Sequence, residues 1–202
     1  MNSNKKGLLL NGIFIVFEIV AIILTVMFHN TFEFKYYTED SNLFALIVAV
    51  IYFSYLSKKK KIPKYLSVLR LISTVSLALT FCVVIFFLLP VSNFNFGFML
   101  GGVNFFFHLA CPLLMLYMFL FVDKKCKFNI KDVLMVNIPT ITYGIILIIL
   151  NILRKVDGPY PFLQVYKNTV FESIIWFVGL NLFIVLAGCS LIKIKKLQKE
   201  EN

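Results

Sequence analysis

The chain has 202 residues, of which 60% are hydrophobic, and its mean hydropathy is +0.88. A soluble domain is usually about 45–50% apolar, so this composition excludes an ordinary soluble protein and indicates an integral membrane protein. At this length we expect a single domain covering residues 1–202. The net charge of +10 would suit nucleic-acid binding, but the positions of the basic residues favour another explanation.

Six apolar runs are long enough to cross a bilayer as helices, which takes about 20 residues each. They lack the alternating pattern of a transmembrane β-barrel. We therefore predict an all-α polytopic membrane protein, a single bundle of six transmembrane helices. The predicted spans lie near 7–28, 38–57, 66–90, 98–122, 133–153 and 170–192.

Most of the 20 basic residues lie before the first span, between spans two and three, between spans four and five, or after the sixth. The positive-inside rule then places both termini in the cytoplasm. Basic loops beside a bilayer contact anionic headgroups, so we expect membrane lipids as partners and no nucleic acid. The abundance of Lys, Asn, Ile and Phe indicates a bacterial protein, and hence the cytoplasmic membrane. The four scattered cysteines predict no disulfide framework and no zinc site.

Ionisable residues inside spans cost a few kcal/mol or more and are candidate site residues. Glu18 shares one face of the first span with Asn11 and Thr25. These residues could form a polar seam hydrogen-bonded to a neighbouring span, or Glu18 could have a catalytic or proton-relay role. Glu172, near the outer end of the sixth span, is either solvated or orients His108.

The fourth span contains the sequence FHLACPLLM, with His108 followed by Pro112. Proline has no N–H, so the carbonyl four residues earlier, that of His108 itself, loses its helical partner. A loosened turn that also carries an imidazole predicts a polar pocket in the outer half of this span. A buried neutral histidine bonded to a neighbouring span, beside a tolerated kink, explains the same residues equally well. We expect no haem, metal or other cofactor.

Thr38 opens the second span and precedes Glu39 and Asp40. A threonine at the N-cap with acids in the first turn is favourable helix-start chemistry. In the alternative interpretation Thr38 is a nucleophile, which requires a base to take its proton. His108 is the only histidine inside a predicted span, so it is the natural base.

The segments YYTEDSNL, FHLACPLLM and GPYPFLQV together resemble the androgen-induced-gene-type six-span membrane proteins and their bacterial relatives. The resemblance implies an intramembrane threonine hydrolase that cleaves fatty acid esters of hydroxy fatty acids. It assigns Thr38 as nucleophile and His108 as general base. It also places Tyr160 and Phe162, in the YPF element, at the outer mouth of the site.

Two functions follow as hypotheses. The first is a lipid-ester hydrolase, in which Asn104, one turn before His108, is the candidate oxyanion stabiliser. The second is a non-enzymatic integral membrane protein, either a lipid or small-molecule carrier or a partner of another membrane protein. A short distance between Thr38 and His108 would favour the hydrolase, and a continuous polar path to the cytoplasm would favour transport.

Overall fold

The computed structural model describes the backbone of residues 3–29, 33–124 and 126–200. Within these residues the regular elements are all helices, which confirms the all-α prediction. Six longer helices follow one another along the chain: α1 Ser3–His29, α2 Tyr37–Ser57, α3 Lys64–Val91, α4 Phe105–Phe121, α5 Ile130–Ile152 and α6 Val170–Glu200.

Five of these helices, all except α4, are long and apolar enough to cross a membrane. Their bounds agree with the predicted spans to within a few residues, except that α6 extends past the predicted end at 192. The agreement arises because each apolar run is long and is flanked by charged or turn-forming residues, which stop a helix at identifiable positions.

The predicted span 98–122 is not one continuous helix, and this prediction is corrected. A short helix, Gly97–Leu100, is followed by a break and then by α4. The break is at Gly102, whose φ of +53° lies in the left-handed region that glycine enters at little cost. As a result α4 is shorter than the about 20 residues that a span takes.

A π-helical turn, Phe105–Ala110, forms the first part of α4 and ends two residues before Pro112. Within it the N–H of Cys111 donates to the carbonyl of Phe106, five residues back, instead of four. Because proline removes one N–H and crowds the preceding turn, the wider π turn accommodates the disturbance. The loosening predicted around His108 is therefore confirmed.

The helix α3 is the most deeply buried of the spans, and it contacts α2, α4 and α6, while α1 packs on α2 and α4. The connections between α1 and α2, α3 and α4, and α5 and α6 all lie at the end of the bundle where α2 begins. At the opposite end, Arg70 of α3 pairs with Asp123, with 2.8 Å between Nε and Oδ2. The Arg70 guanidinium also lies over the Tyr52 ring of α2, so this pair joins three helices.

Candidate functional site

Thr38 and His108 line one cleft, at the end of the bundle where α2 begins. The cleft has a volume of about 510 Å³ and is bounded by the three connections at that end. The polar and titratable residues that line it are Thr25, Glu33, Tyr36, Thr38, Glu39, Asn104, His108 and Tyr160. The polar pocket predicted around His108 is therefore present, and it includes three of the other predicted site residues.

Thr38 lies inside the first turn of α2, because the helix begins at Tyr37 and its N-cap residue is Tyr36. The interpretation of Thr38 as the N-cap is therefore wrong, although Glu39 and Asp40 do lie in the first turn as predicted. The Thr38 carbonyl accepts a hydrogen bond from Asn42 Nδ2 at 2.7 Å. Thus the backbone of Thr38 is fixed by the helix, while its side chain borders the cleft.

His108 is held by the chain that precedes it: its Nδ1 is hydrogen-bonded to the carbonyl of Phe98. A carbonyl can only accept, so Nδ1 carries the proton and Nε2 keeps its lone pair. This is the tautomer that a general base requires. Phe98 lies in the short helix Gly97–Leu100, so the break before α4 is what brings its carbonyl to the imidazole.

Asn42 is a residue of this site that the sequence analysis missed. It is fully buried, and its Nδ2 contacts the Phe107 carbonyl at 3.4 Å as well as the Thr38 carbonyl. It therefore links the first turn of α2 to the π turn that carries His108. An amide one helical turn after Thr38 in an otherwise apolar run was the signal that could have revealed it.

The GPYPF segment forms a tight turn that brings Tyr160 to the cleft. A Cβ on Gly158 would lie 2.4 Å from the Leu163 carbonyl oxygen, so the turn closes too tightly for any side chain at this position. The next residues, Pro161–Leu163, form a 3₁₀ helix. The rings of Tyr160 and Phe162 stack with their planes 3° apart and their centroids 5.2 Å apart.

Tyr160 is buried, with 8% of its surface exposed. Burial raises the pKa of Tyr160 to about 12, and interactions with the Thr38 hydroxyl and with the backbone of Thr38 and Tyr37 oppose part of the rise. At neutral pH its phenol is therefore protonated. Sequence resemblance assigned Tyr160 only to the mouth of the site, whereas the structure brings it next to Thr38.

An apolar pocket adjoins the cleft, and Thr38, Leu88 and Tyr160 line both. The pocket lies among α2, α3, α5, α6 and the 3₁₀ helix. Its apolar lining includes Leu79, Val83, Val84, Ile148, Phe162, Leu163, Trp176, Phe177 and Leu180. Phe162 therefore belongs to this pocket and not to the cleft, and its ring also packs on Trp176 with 5.4 Å between centroids.

Two predicted supporting residues are placed differently by the structure. Asn104 lines the cleft, but its Nδ2 already donates to the Gly97 carbonyl at 3.0 Å. Of the two interpretations of Glu172, the structure agrees with the solvated one and not with an orienting role toward His108, because its exposed carboxylate accepts from the Thr169 N–H at 2.7 Å and from the Thr169 hydroxyl at 2.9 Å. Glu172 completes the N-terminal cap of α6.

Glu18 is fully buried on the same face of α1 as Asn11 and Thr25, as their spacing predicts. Asn11 and Thr25 donate to carbonyls of α1 itself, so the link from this face to a neighbouring helix is made at Glu18. Glu18 lies against Cys111 of α4 and is not among the residues that line the cleft. Among the described residues, no group of three or more His, Cys, Asp or Glu is placed to hold a metal ion.

Comparisons with protein-family models, with curated proteins and with solved structures find no match. The likeness of three short segments to the androgen-induced-gene-type proteins therefore stays a prediction from the sequence.

Proposed function

We propose that this protein is an integral membrane hydrolase of lipid esters, with Thr38 as nucleophile and His108 as general base. The observation that supports it most directly is the cleft that both side chains line, together with an adjoining apolar pocket that Thr38 also lines. The resemblance of the sequence to six-span threonine hydrolases favours the same assignment and the same substrate class, fatty acid esters of hydroxy fatty acids.

In the proposed topology the protein lies in a bacterial cytoplasmic membrane, with six spans and both termini inside. The short helix Gly97–Leu100 and α4 together provide the fourth crossing. The lysine run at 58–61 lies at the end of the bundle opposite the cleft, which by the positive-inside rule orients the cleft outward. The substrate then enters from the outer leaflet.

The reaction follows from the chemistry of the two side chains. His108 Nε2 takes the proton of the Thr38 hydroxyl as its oxygen forms a bond to the ester carbonyl carbon. The tetrahedral intermediate collapses by breaking the bond to the alkoxy oxygen, which leaves as an alcohol with the proton from His108. Water, deprotonated in turn by His108, releases the fatty acid and restores the Thr38 hydroxyl.

The adjoining apolar pocket supports a lipid substrate. With the ester carbonyl at Thr38, the first carbons of an acyl chain can enter the pocket between Phe162, Trp176 and Phe177, whose cavity of about 60 Å³ holds only a short apolar segment, while the polar part of the molecule remains in the cleft. Burial of apolar chain contributes roughly 0.8 kcal/mol per CH₂ group, so substrate affinity should increase with acyl length until the pocket is filled.

The test is ester hydrolysis by the purified full-length protein in lipid nanodiscs, with released fatty acid measured by mass spectrometry. We expect Thr38→Ala to abolish turnover and His108→Ala to lower kcat by about 10²–10⁴-fold. Thr142→Ala, at an exposed threonine of α5, and His29→Ala, at the chain's other histidine, should retain activity. Unchanged turnover in both site variants would refute the proposal, and binding of esters without turnover would favour a lipid carrier.

A further inference from the structure

We infer that Tyr160 is a catalytic residue of the proposed hydrolysis, in which its phenol donates a hydrogen bond to the oxyanion that develops on the ester carbonyl. This inference rests on the proposed function. It gives the GPYPF segment a chemical role beyond shaping the mouth of the site.

The position of Tyr160 follows from its neighbours. Tyr160 and Thr38 are two of the residues that line both the polar cleft and the apolar pocket, and the phenol interacts with the Thr38 hydroxyl. An ester carbonyl attacked by Thr38 must lie against that hydroxyl, so its oxygen develops negative charge within a few ångströms of the phenol. An oxyanion donor has to occupy such a place.

The protonation state of Tyr160 suits a donor. Burial raises its pKa to about 12, so the phenol keeps its proton at neutral pH and presents no negative charge to the oxyanion. The backbone of Tyr37 and Thr38, at the N-terminus of α2, also interacts with the phenol. The partial positive charge at a helix N-terminus polarises the O–H bond further and makes it a stronger donor.

Asn104, the donor predicted from the sequence, is less well placed than Tyr160. Its Nδ2 donates to the Gly97 carbonyl at 3.0 Å, which holds the amide to the short helix Gly97–Leu100. Tyr160 differs because, like Thr38, it lines both the polar cleft and the apolar pocket. We therefore assign Tyr160 as the principal oxyanion donor.

Oxyanion stabilisation requires a donor that is fixed before the reaction, and the connection that carries Tyr160 is well anchored. Asn151 of α5 holds both sides of it: Nδ2 donates to the Val156 carbonyl, and Oδ1 accepts from the Val165 N–H, each at 2.9 Å. Asn168 Nδ2 donates to the Pro161 carbonyl at 2.7 Å. The phenol remains protonated throughout, and the transferred proton moves only between Thr38, His108 and the leaving alkoxide.

The experiment compares Tyr160→Phe with the wild type and with Tyr166→Phe, a matched loss of a hydroxyl from the exposed end of the same connection. We expect Tyr160→Phe to lower kcat by about 10²–10³-fold, as removal of one oxyanion donor does, with KM and the pH dependence due to His108 little changed. Tyr166→Phe should retain near-normal kcat.

A second measurement separates catalysis from positioning. A long-chain trifluoromethyl ketone forms an oxyanionic adduct with an activated hydroxyl, whereas the corresponding alcohol does not. Tyr160→Phe should weaken inhibition by the ketone as much as it lowers kcat/KM, and should leave inhibition by the alcohol unchanged. Equal weakening of both inhibitors, or full activity of Tyr160→Phe, would overturn the inference. If Thr38→Ala is inactive in the same assay, the proposed function still holds. Absence of wild-type turnover would instead overturn the proposed function.

Discussion

At the residue scale, the role of His108 as a general base depends on which group is bonded to its Nδ1. Its Nδ1 is bonded to the Phe98 carbonyl, and a neutral carbonyl fixes the tautomer without adding the negative charge that a carboxylate would. The only orienting group that the sequence offered for His108 was a carboxylate, that of Glu172, as one of two alternatives. No side-chain pattern identifies a backbone carbonyl as the orienting group, so this part of the site could not be predicted from the sequence.

Asn42 should act as a positioning residue, since it links the backbone of Thr38 to that of Phe107. Replacing Asn42 with Leu leaves two carbonyls without this buried donor and should cost about 1–3 kcal/mol of stability. We expect kcat to fall with KM little changed, as measured by ester turnover together with thermal unfolding. In the control variant Asn11→Leu, the amide lost is bonded only within α1, so kcat should not change. Equal kcat in the two variants would contradict the role of Asn42.

Convergence of Thr38 and His108 illustrates the same limit. The sequence indicated a base because His108 is the only histidine inside a predicted span, whereas the resemblance assigned Thr38 as the nucleophile. Both line one cleft, although no hydrogen bond joins the two side chains in the described part of the chain, and the orientation of His108 depends on the break at Gly102 and on the π turn. Such an orientation is decided by packing and has no short sequence signature.

At the element scale, the tight turn at Gly158 is the feature that places Tyr160. Gly158→Ala would put a Cβ 2.4 Å from the backbone oxygen of Leu163, so the turn must open and move the phenol. We expect turnover to fall by at least about tenfold, in line with the sensitivity of catalysis to small misplacements. Activity assays of Gly179→Ala provide the control, because a Cβ there meets nothing within 4 Å. Wild-type activity in Gly158→Ala would show that the turn does not position the site.

Most helices were predictable and α4 was not, for a physical reason. Long apolar runs and lysine-rich links determine where a membrane helix begins and ends. The run from 98 to 122 is equally apolar, and the adjacent glycines at 101 and 102 do not interrupt its hydropathy, so the sequence predicted one continuous span. Pro112 did carry a usable signal, since the loss of one helical hydrogen bond predicted the loosened turn at His108.

At the scale of the whole molecule, stability and the proposed chemistry lie at opposite ends of the bundle. Arg70 and Asp123 are buried, with side-chain exposures of 1% and 4%. Arg70→Met leaves an unpaired buried carboxylate, so we expect a loss of about 3–5 kcal/mol, seen as a lower melting temperature in detergent. Lys64 pairs with Asp132, and half of the lysine side chain is exposed. For Lys64→Met we therefore expect the free energy of unfolding to fall by only about 0–1 kcal/mol.

The folded fraction of Arg70→Met should hydrolyse esters with wild-type kcat, because the ion pair is far from the cleft. The measured kcat at 25 °C is first corrected for the unfolded fraction of the variant. A corrected kcat below that of the wild type would show that the ion pair and the cleft are coupled. The position of the lysine-rich links gave the expected orientation of the bundle, but only the structure shows that the cleft and the ion pair occupy opposite ends.

The hydrolase proposal depends on Thr38 being an activated hydroxyl, and covalent labelling tests this most directly. A long-chain alkyl fluorophosphonate phosphonylates a hydroxyl whose proton is removed by a base, with fluoride as the leaving group. Peptide mass spectrometry of the labelled wild-type protein should find the adduct on Thr38, and the adduct should be lost in His108→Ala. Labelling of another residue, or no labelling of a protein that turns over esters, would contradict the assignment of Thr38 as the nucleophile.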